Sequence, residues 1–278
     1  MNRKTILACL VSGLLALTVF GGYRYRQPSP PSPEHPEYLP MPTSLRLSLI
    51  TPAMAGETRE KTATTREILF DFSGETIGSQ PTTFSAAVGN WIIGKDGDNT
   101  VLVVDGRKWK RGITSAGLAD KARALYGERY AEFLDNVTAY AYFPFVVANG
   151  VENFTNGEIR VRFKAIAGRI DQGAGILFDL KPNGDYYTVR ANPLENNLVL
   201  WRMKKGRRSS VSWVRNVETP SRTWHELKVT VKDNLVRGYL NGKQYLAHRL
   251  PAKVTGKVGL WTKADSVVYF DDYRVIPR

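Results

Sequence analysis

The sequence predicts an all-β protein in which two antiparallel sheets pack face to face. Three observations carry that expectation. Runs of period-two alternation recur along the chain, as in Glu158-Ile-Arg-Val-Arg-Phe-Lys164 and Glu226-Leu-Lys-Val-Thr-Val-Lys232. Turn dipeptides such as Asn183-Gly184 and Asn241-Gly242 punctuate them. The stretch Gly256 to Ser266, continuing to Tyr269-Phe-Asp-Asp-Tyr273, places two short alternating segments around a polar turn, the last of them close to the C-terminus. Alternation puts every second side chain on one sheet face, and strands joined by tight turns pair antiparallel.

Taken in order, the chain divides into 1–22, 23–66 and 67–278. Arg3 and Lys4 precede an apolar run from Thr5 to Gly22, the charged and apolar parts of an export signal. That run is only just long enough to cross a bilayer. Tyr23-Arg-Tyr-Arg26 follows, with aromatic and basic residues of the kind that favour a membrane interface. Two readings stand: a cleaved signal, or an anchor in the inner membrane formed by residues 5–22. Both place the rest of the chain in the periplasm or outside the cell. Ile6-Leu-Ala-Cys9 looks like a lipoprotein box, but little apolar sequence precedes it. Residues 23–66 read as a linker, because Gln27-Pro-Ser-Pro-Pro-Ser-Pro-Glu-His-Pro36 favours extended, semi-rigid backbone.

Globular sequence begins at Ile68-Leu-Phe-Asp-Phe72. Ile159, Val161 and Phe163 share one face of their strand, and Leu227, Val229 and Val231 do the same in theirs. The opposite face of the first carries Arg160, Arg162 and Lys164. Asn-Gly pairs suit two-residue type I′ turns, in which both central residues need positive φ. Lys205-Gly206 is a weaker signal of the same kind. One segment departs from the pattern. Between Ser115 and Asp135, Leu118, Ala122, Leu125, Tyr126, Phe133 and Leu134 recur at helical spacing, which predicts a short helical insertion.

Composition limits the chemistry. Cys9 is the sole cysteine, so the globular part has no disulfide and no thiolate. His35, His225 and His248 are scattered, which excludes a histidine-rich metal site. There is no Gly-x-Ser-x-Gly elbow and no phosphate-cradling glycine loop. The net charge is +13, and the basic run Lys204-Lys-Gly-Arg-Arg208 concentrates part of it. A charge of this sign attracts anionic partners. For an exported chain these are acidic glycans or phospholipid headgroups, with nucleic acid less favoured.

Five groups of residues then carry a resemblance: Gly173-Ala-Gly-Ile176; Asp185-Tyr-Tyr-Thr-Val-Arg-Ala-Asn192; Trp224-His225; Leu240-Asn-Gly-Lys243; and Gly256 to Ser266 with Phe270-Asp-Asp272. In this order the chain resembles bacterial exported concanavalin A-like domains of the 3-keto-disaccharide hydrolase-like or glycoside hydrolase family 16-like group. The resemblance covers about residues 66–277. It implies a two-sheet jelly roll of the lectin and glucanase type, and a link to carbohydrates as binder or as glycoside hydrolase-like enzyme on saccharides, 3-keto-disaccharides among them.

Glycoside hydrolysis ordinarily uses two carboxyl groups. The Glu-x-Asp-x-x-Glu strand motif of glucanases with this fold is absent, since no glutamate is followed two positions later by aspartate. Asp171 and Glu195 are the catalytic candidates, with Asp185 and Asp265 behind them; each fits equally a turn residue or an arginine's ion-pair partner. For binding, sugar C–H faces stack on aromatic rings and hydroxyls need polar partners. Parity on Asp185 to Asn192 sets Tyr186, Arg190 and Asn192 opposite the core residue Val189. Trp201, Trp213 and Trp261 are candidate stacking platforms, with Lys263 beside the last. Arg190 and Glu195 also fit an ion pair with each other. A structural calcium is the one cofactor considered: Asp71 near the first strand, with Asp271 and Asp272 in the last, would supply oxygen ligands.

Overall fold

A computed structural model describes residues 67–108 and 143–278. The export segment, the linker and the helical insertion expected at 115–135 lie outside the described residues. The described residues form fifteen strands: β1 (Ile68–Phe70), β2 (Phe84–Val88), β3 (Trp91–Asp96), β4 (Asn99–Asp105), β5 (Phe145–Ala148), β6 (Gly157–Ala167), β7 (Ala174–Leu180), β8 (Tyr186–Asn192), β9 (Asn197–Lys204), β10 (Arg207–Arg215), β11 (His225–Lys232), β12 (Leu235–Leu240), β13 (Lys243–Arg249), β14 (Lys257–Trp261) and β15 (Val267–Pro277). A single 3₁₀ turn, Gly106–Lys108, interrupts them among the described residues.

The strands form two antiparallel sheets, one ordered β13-β12-β11-β6-β15-β4-β3 with β1 added on β15, the other β10-β9-β8-β7-β14-β5-β2. They stack as a jelly-roll sandwich. Between them lies one apolar core, to which β6 contributes Ile159, Val161 and Phe163, β11 contributes Leu227, Val229 and Val231, and the facing sheet contributes Ile176, Phe178, Val189, Leu198, Leu200 and Leu260. The parity expected for β6 and β11 holds. Each such fully buried side chain contributes about 1.5–3 kcal/mol.

The turns follow local backbone chemistry. Asn241 and Gly242 both have positive φ (50° and 80°) and join Leu240 to Lys243, the two-residue type I′ connection expected. Lys205 and Gly206 do the same (48° and 71°) between Lys204 and Arg207. Asn183-Gly184 differs: Gly184 N–H donates to the Lys181 carbonyl at 2.9 Å, and of the pair only Gly184 has positive φ. The turn is longer because Asp185, kept out of β8, accepts from Lys205 N–H at 2.7 Å and braces the neighbouring hairpin.

The closing strand also departs from strict alternation. Phe270 and Tyr273 are three residues apart, yet both are buried in the core. A register shift between Asp271 and Arg274 against β6 makes this possible, and Asp272 takes φ 48° within it. An extra residue in a strand changes which face the following side chains take. The basic face of β6 is neutralised locally. Arg160 pairs with Glu158, Arg162 with Asp272 at 3.2 Å, and Lys164 with Asp96 at 2.8 Å. Each of these three cations therefore has a carboxylate partner within its own sheet.

Candidate functional site

The seven-stranded sheet has a second face, turned away from its partner. Alternation assigns Tyr186, Thr188, Arg190 and Asn192 of β8 to it, because Val189 and Ala191 are in the core. The same rule assigns Asn197, Val199, Trp201 and Met203 of β9, since Leu198 and Leu200 point inward. On β10, register sets Arg208 opposite Met203, Ser210 opposite Trp201, Trp213 opposite Val199 and Arg215 opposite Asn197. The step from even to odd positions is the bulge between Ser210 and Ser212. It tucks Val211 against the core and returns Trp213 to the outward face.

One half of this face is apolar and closed. Phe145, Val147, Leu177, Tyr186, Met203 and Trp261 form a second buried cluster. Trp261 stacks on Phe143 with centroids 5.7 Å apart and donates its indole N–H to the Tyr186 hydroxyl at 3.0 Å. Gly175 permits this closeness: a Cβ there would lie 2.7 Å from Thr188 Oγ1 and 3.3 Å from the Trp261 ring. Tyr186 and Trp261, read from sequence as groove residues, are thus sealed in a layer and offer no free ring face. The reason is that β5, β7 and β14, which flank β8 in the same sheet, are buried along their whole lengths.

The other half is polar. Arg190 is 1% exposed. Its two terminal nitrogens donate to Glu195 Oε2 at 3.2 and 3.1 Å, and Nη1 also reaches Asn197 at 3.0 Å. Asn197 Nδ2 donates to the same Glu195 oxygen at 2.8 Å. Burial pushes the Glu195 carboxyl up, but the Asn197 amide and the Arg190 guanidinium outweigh it and hold the group below the usual carboxylate range. Asp171 is fully buried. It accepts from Gly173 N–H at 2.8 Å and Asn192 Nδ2 at 3.2 Å, and pairs with Lys263 Nζ at 2.7 Å. Asn192 Oδ1 accepts from Leu194 N–H at 3.0 Å, so this asparagine is committed to the loop. Asp265 organises the approach to Asp171, accepting the backbone N–H groups of Arg169, Ile170 and Asp171 at 2.8, 2.9 and 3.0 Å. All the acids proposed from sequence in this region therefore act as anchors for loops and cations.

Beside them lies a patch that sequence reasoning did not assemble. Thr188 is opposite Trp201. The Arg208 guanidinium stands 4.1 Å from the Trp201 ring centroid and 5.0 Å from that of Phe143; Arg190 is 5.8 Å from Trp201. Thr188 Oγ1, Arg190 Nε, Trp201 Nε1 and Arg208 Nη1 are all buried without a hydrogen-bond partner. Leaving such a group unpaired costs about 1–3 kcal/mol, so four on one patch mark a place where a ligand's oxygens would be welcome. Burial pushes the Arg208 guanidinium down, and the neighbouring charge of Arg190 adds to this. Trp213 meets Trp201 edge to face at 5.3 Å and is 44% exposed, one of few large apolar side chains so open. The only sequence signal for Arg208 was its place in a basic run.

Other candidates resolve structurally. His225 Nε2 lies 2.9 Å from the Pro220 carbonyl and Nδ1 3.0 Å from Asn241 Nδ2, so both ring nitrogens are engaged. For calcium the donor set does not fit. Asp71 accepts from Ser73 N–H and Oγ. Asp271 is buried, accepts from Asn99 Nδ2 at 2.7 Å and is pushed up by that burial. Asp272 is tied to Arg162 and Arg274. Among the described residues no three histidine, cysteine or acidic side chains converge as a metal site, and no helix is long and apolar enough to cross a membrane.

No family model matches the chain, and no curated protein matches it. Solved structures of similar architecture exist at low identity. They include the carbohydrate-binding module CBM66 from Bacillus subtilis (10% identical, 72% of this chain against 99% of that one, TM-score 0.49). The Bacillus licheniformis β-glucanase is 12% identical, with 77% and 100% covered and TM-score 0.46. A glycosyl hydrolase-like protein from Parabacteroides distasonis is 15% identical, with 72% and 91% covered and TM-score 0.42.

Proposed function

We propose that this protein is a carbohydrate-binding sandwich, exported or held at a membrane by residues 5–22, that takes its ligand on the outward face of β8, β9 and β10. The observation that carries this reading is the exposed Trp213 ring set edge-on to Trp201, beside four buried polar atoms with no partner. An apolar plate next to unsatisfied donors is what a sugar ring, with its C–H face and its hydroxyls, requires. A binding role is favoured over glycoside hydrolysis. Hydrolysis ordinarily needs one protonated carboxyl as acid, whereas Glu195 is held ionised and Asp171 is buried against Lys263.

Glycan-array screening of the full chain tests the reading directly, followed by calorimetry on the hits. Trp213→Ala is expected to weaken saccharide binding about tenfold. Because the side chain is 44% exposed and lies outside the sandwich core, Tm should shift by less than about 3 °C. Absence of binding to any neutral or acidic saccharide would overturn the proposal. Cell fractionation and N-terminal sequencing of the expressed full chain check the export component: a cytoplasmic product would remove it.

A further inference from the structure

We infer that the saccharide recognised at this face is anionic, its carboxylate or sulfate group seated against Arg208 and within reach of Arg190 Nε and Trp201 Nε1. This rests on the carbohydrate-binding reading and names the class of ligand within it.

The argument is one of charge and of donors. Five ionisable side chains that face this half of the sheet besides Arg208 are Arg190, Arg215, Lys263, Asp171 and Glu195. The two carboxylates are each matched: Glu195 by Arg190 and Asp171 by Lys263. Arg208 and Arg215 have no carboxylate partner among the described residues. Arg208 is the more telling, since its guanidinium is stacked on Trp201 and its Nη1 is buried without an acceptor. A half-buried guanidinium with one nitrogen unpaired and no carboxylate in contact carries an uncompensated desolvation cost. Of the four unpartnered atoms, Arg190 Nε, Trp201 Nε1 and Arg208 Nη1 can only donate, and Thr188 Oγ1 can do either. A neutral sugar hydroxyl brings a donor with every acceptor. An oxyanion brings acceptors alone, and two oxygens can meet a guanidinium side by side. On the reverse face of the same hairpin, Arg202, Lys204, Lys205, Arg207 and Ser209 line an open groove of about 540 Å³, so the surrounding field has the sign that draws a polyanion in.

The test is calorimetry on the full chain with tetragalacturonate, the same oligomer fully methyl-esterified, and sulfated maltotetraose. Tighter binding of an acidic probe than of the ester, by about tenfold or more, is expected. The sulfated and carboxylated arms distinguish which oxyanion the patch prefers. Arg208→Gln should abolish the difference, and Arg208→Lys should restore part of it. Lys204→Gln with Lys205→Gln, on the hairpin tip, should leave the preference in place. Equal affinity for acid and ester overturns the anionic assignment while leaving saccharide binding intact. An acid preference lost equally in the hairpin-tip variant overturns it too, by revealing general polyelectrolyte attraction. Failure of every probe, together with an empty glycan array, overturns the underlying binding reading.

Discussion

At the scale of single residues, unsatisfied polar atoms among the described residues fall in three places: around Trp201, at Arg202 Nε on the reverse face of β9, and at Tyr273. Those around Trp201 cluster on one outward patch. Tyr273 stands apart: it is in the sandwich core, its hydroxyl has no partner, and burial pushes that hydroxyl well up. Its ring packs at 5.7 Å from Phe70 and 5.3 Å from Phe84, so the ring, and not the oxygen, is what the core uses. Tyr273→Phe is expected to stabilise the protein by about 1 kcal/mol, because the desolvated hydroxyl is removed without a cavity. Urea denaturation checks this, and a fall in the midpoint would indicate a hydroxyl role. The residue scale also shows what sequence could reveal. The Arg190–Glu195 pair was legible as an option, since both groups lie within one hairpin. The burial of Tyr186 and Trp261 was not. Parity names a face correctly but cannot say that Tyr186 and Trp261 are packed on it among apolar neighbours of the same sheet, since β5 and β14 are distant in sequence from β8.

At the scale of elements, one inserted residue controls the candidate site. In β10, Arg208 and Ser210 point outward, and uninterrupted alternation would turn Trp213 into the core. Val211 absorbs the extra position. Deleting Val211 is expected to remove the bulge while Ser212 stays opposite Leu200 and Trp213 opposite Val199, so Trp213 keeps its outward side. Saccharide binding should then stay within about threefold of the unaltered protein, in contrast to Trp213→Ala, and far-ultraviolet circular dichroism should keep its β signature. A loss as large as that in Trp213→Ala would show that the shape of the bulge itself, and not only the side taken by Trp213, makes the site. Bulges of this sort leave little trace in a sequence, because Ser-Ser-Val-Ser reads equally well with or without one. The same difficulty affected Phe270-Asp-Asp-Tyr273, where a bulge places both aromatic rings on one side. By contrast, β6, β11 and the Asn241-Gly242 hairpin were legible, since clean alternation and a two-residue turn each fix register locally.

At the scale of the whole molecule, stability should follow the acids that lock loops and sheets. Among the described residues four carboxyls lie below their ordinary values. Burial opposes the shift in Glu75, Glu195 and Asp265, yet is outweighed by hydrogen bonds from Thr82 and Thr83, from Asn197 and Arg190, and from backbone N–H groups of residues 169–171. Asp96 is lowered chiefly by Lys164. A carboxyl whose folded value is depressed contributes stability above its unfolded value and loses it as pH falls through the folded one. Asp271 is raised by burial and has the opposite sign, gaining stability as pH falls through the range just above 3.8. With four groups against one, Tm is expected to be flat from neutrality to about pH 5 and to drop below the ordinary glutamate value of 4.5. A thermal scan across that range measures it, and a rise in Tm on acidification would contradict the balance.

The attachment of β1 has a mechanical consequence. Its three residues pair only with β15, Ile68 beside Val275 and Phe70 beside Tyr273, off the main path of the larger sheet. A pull applied at residue 67 is therefore borne first by this short ladder, while β8, β9 and β10 belong to the other sheet. Under load from that end the sandwich would unzip at its first strand before the β8–β10 face was disturbed, so the strand nearest the N-terminal segment and the proposed binding face are carried by separate layers of the protein.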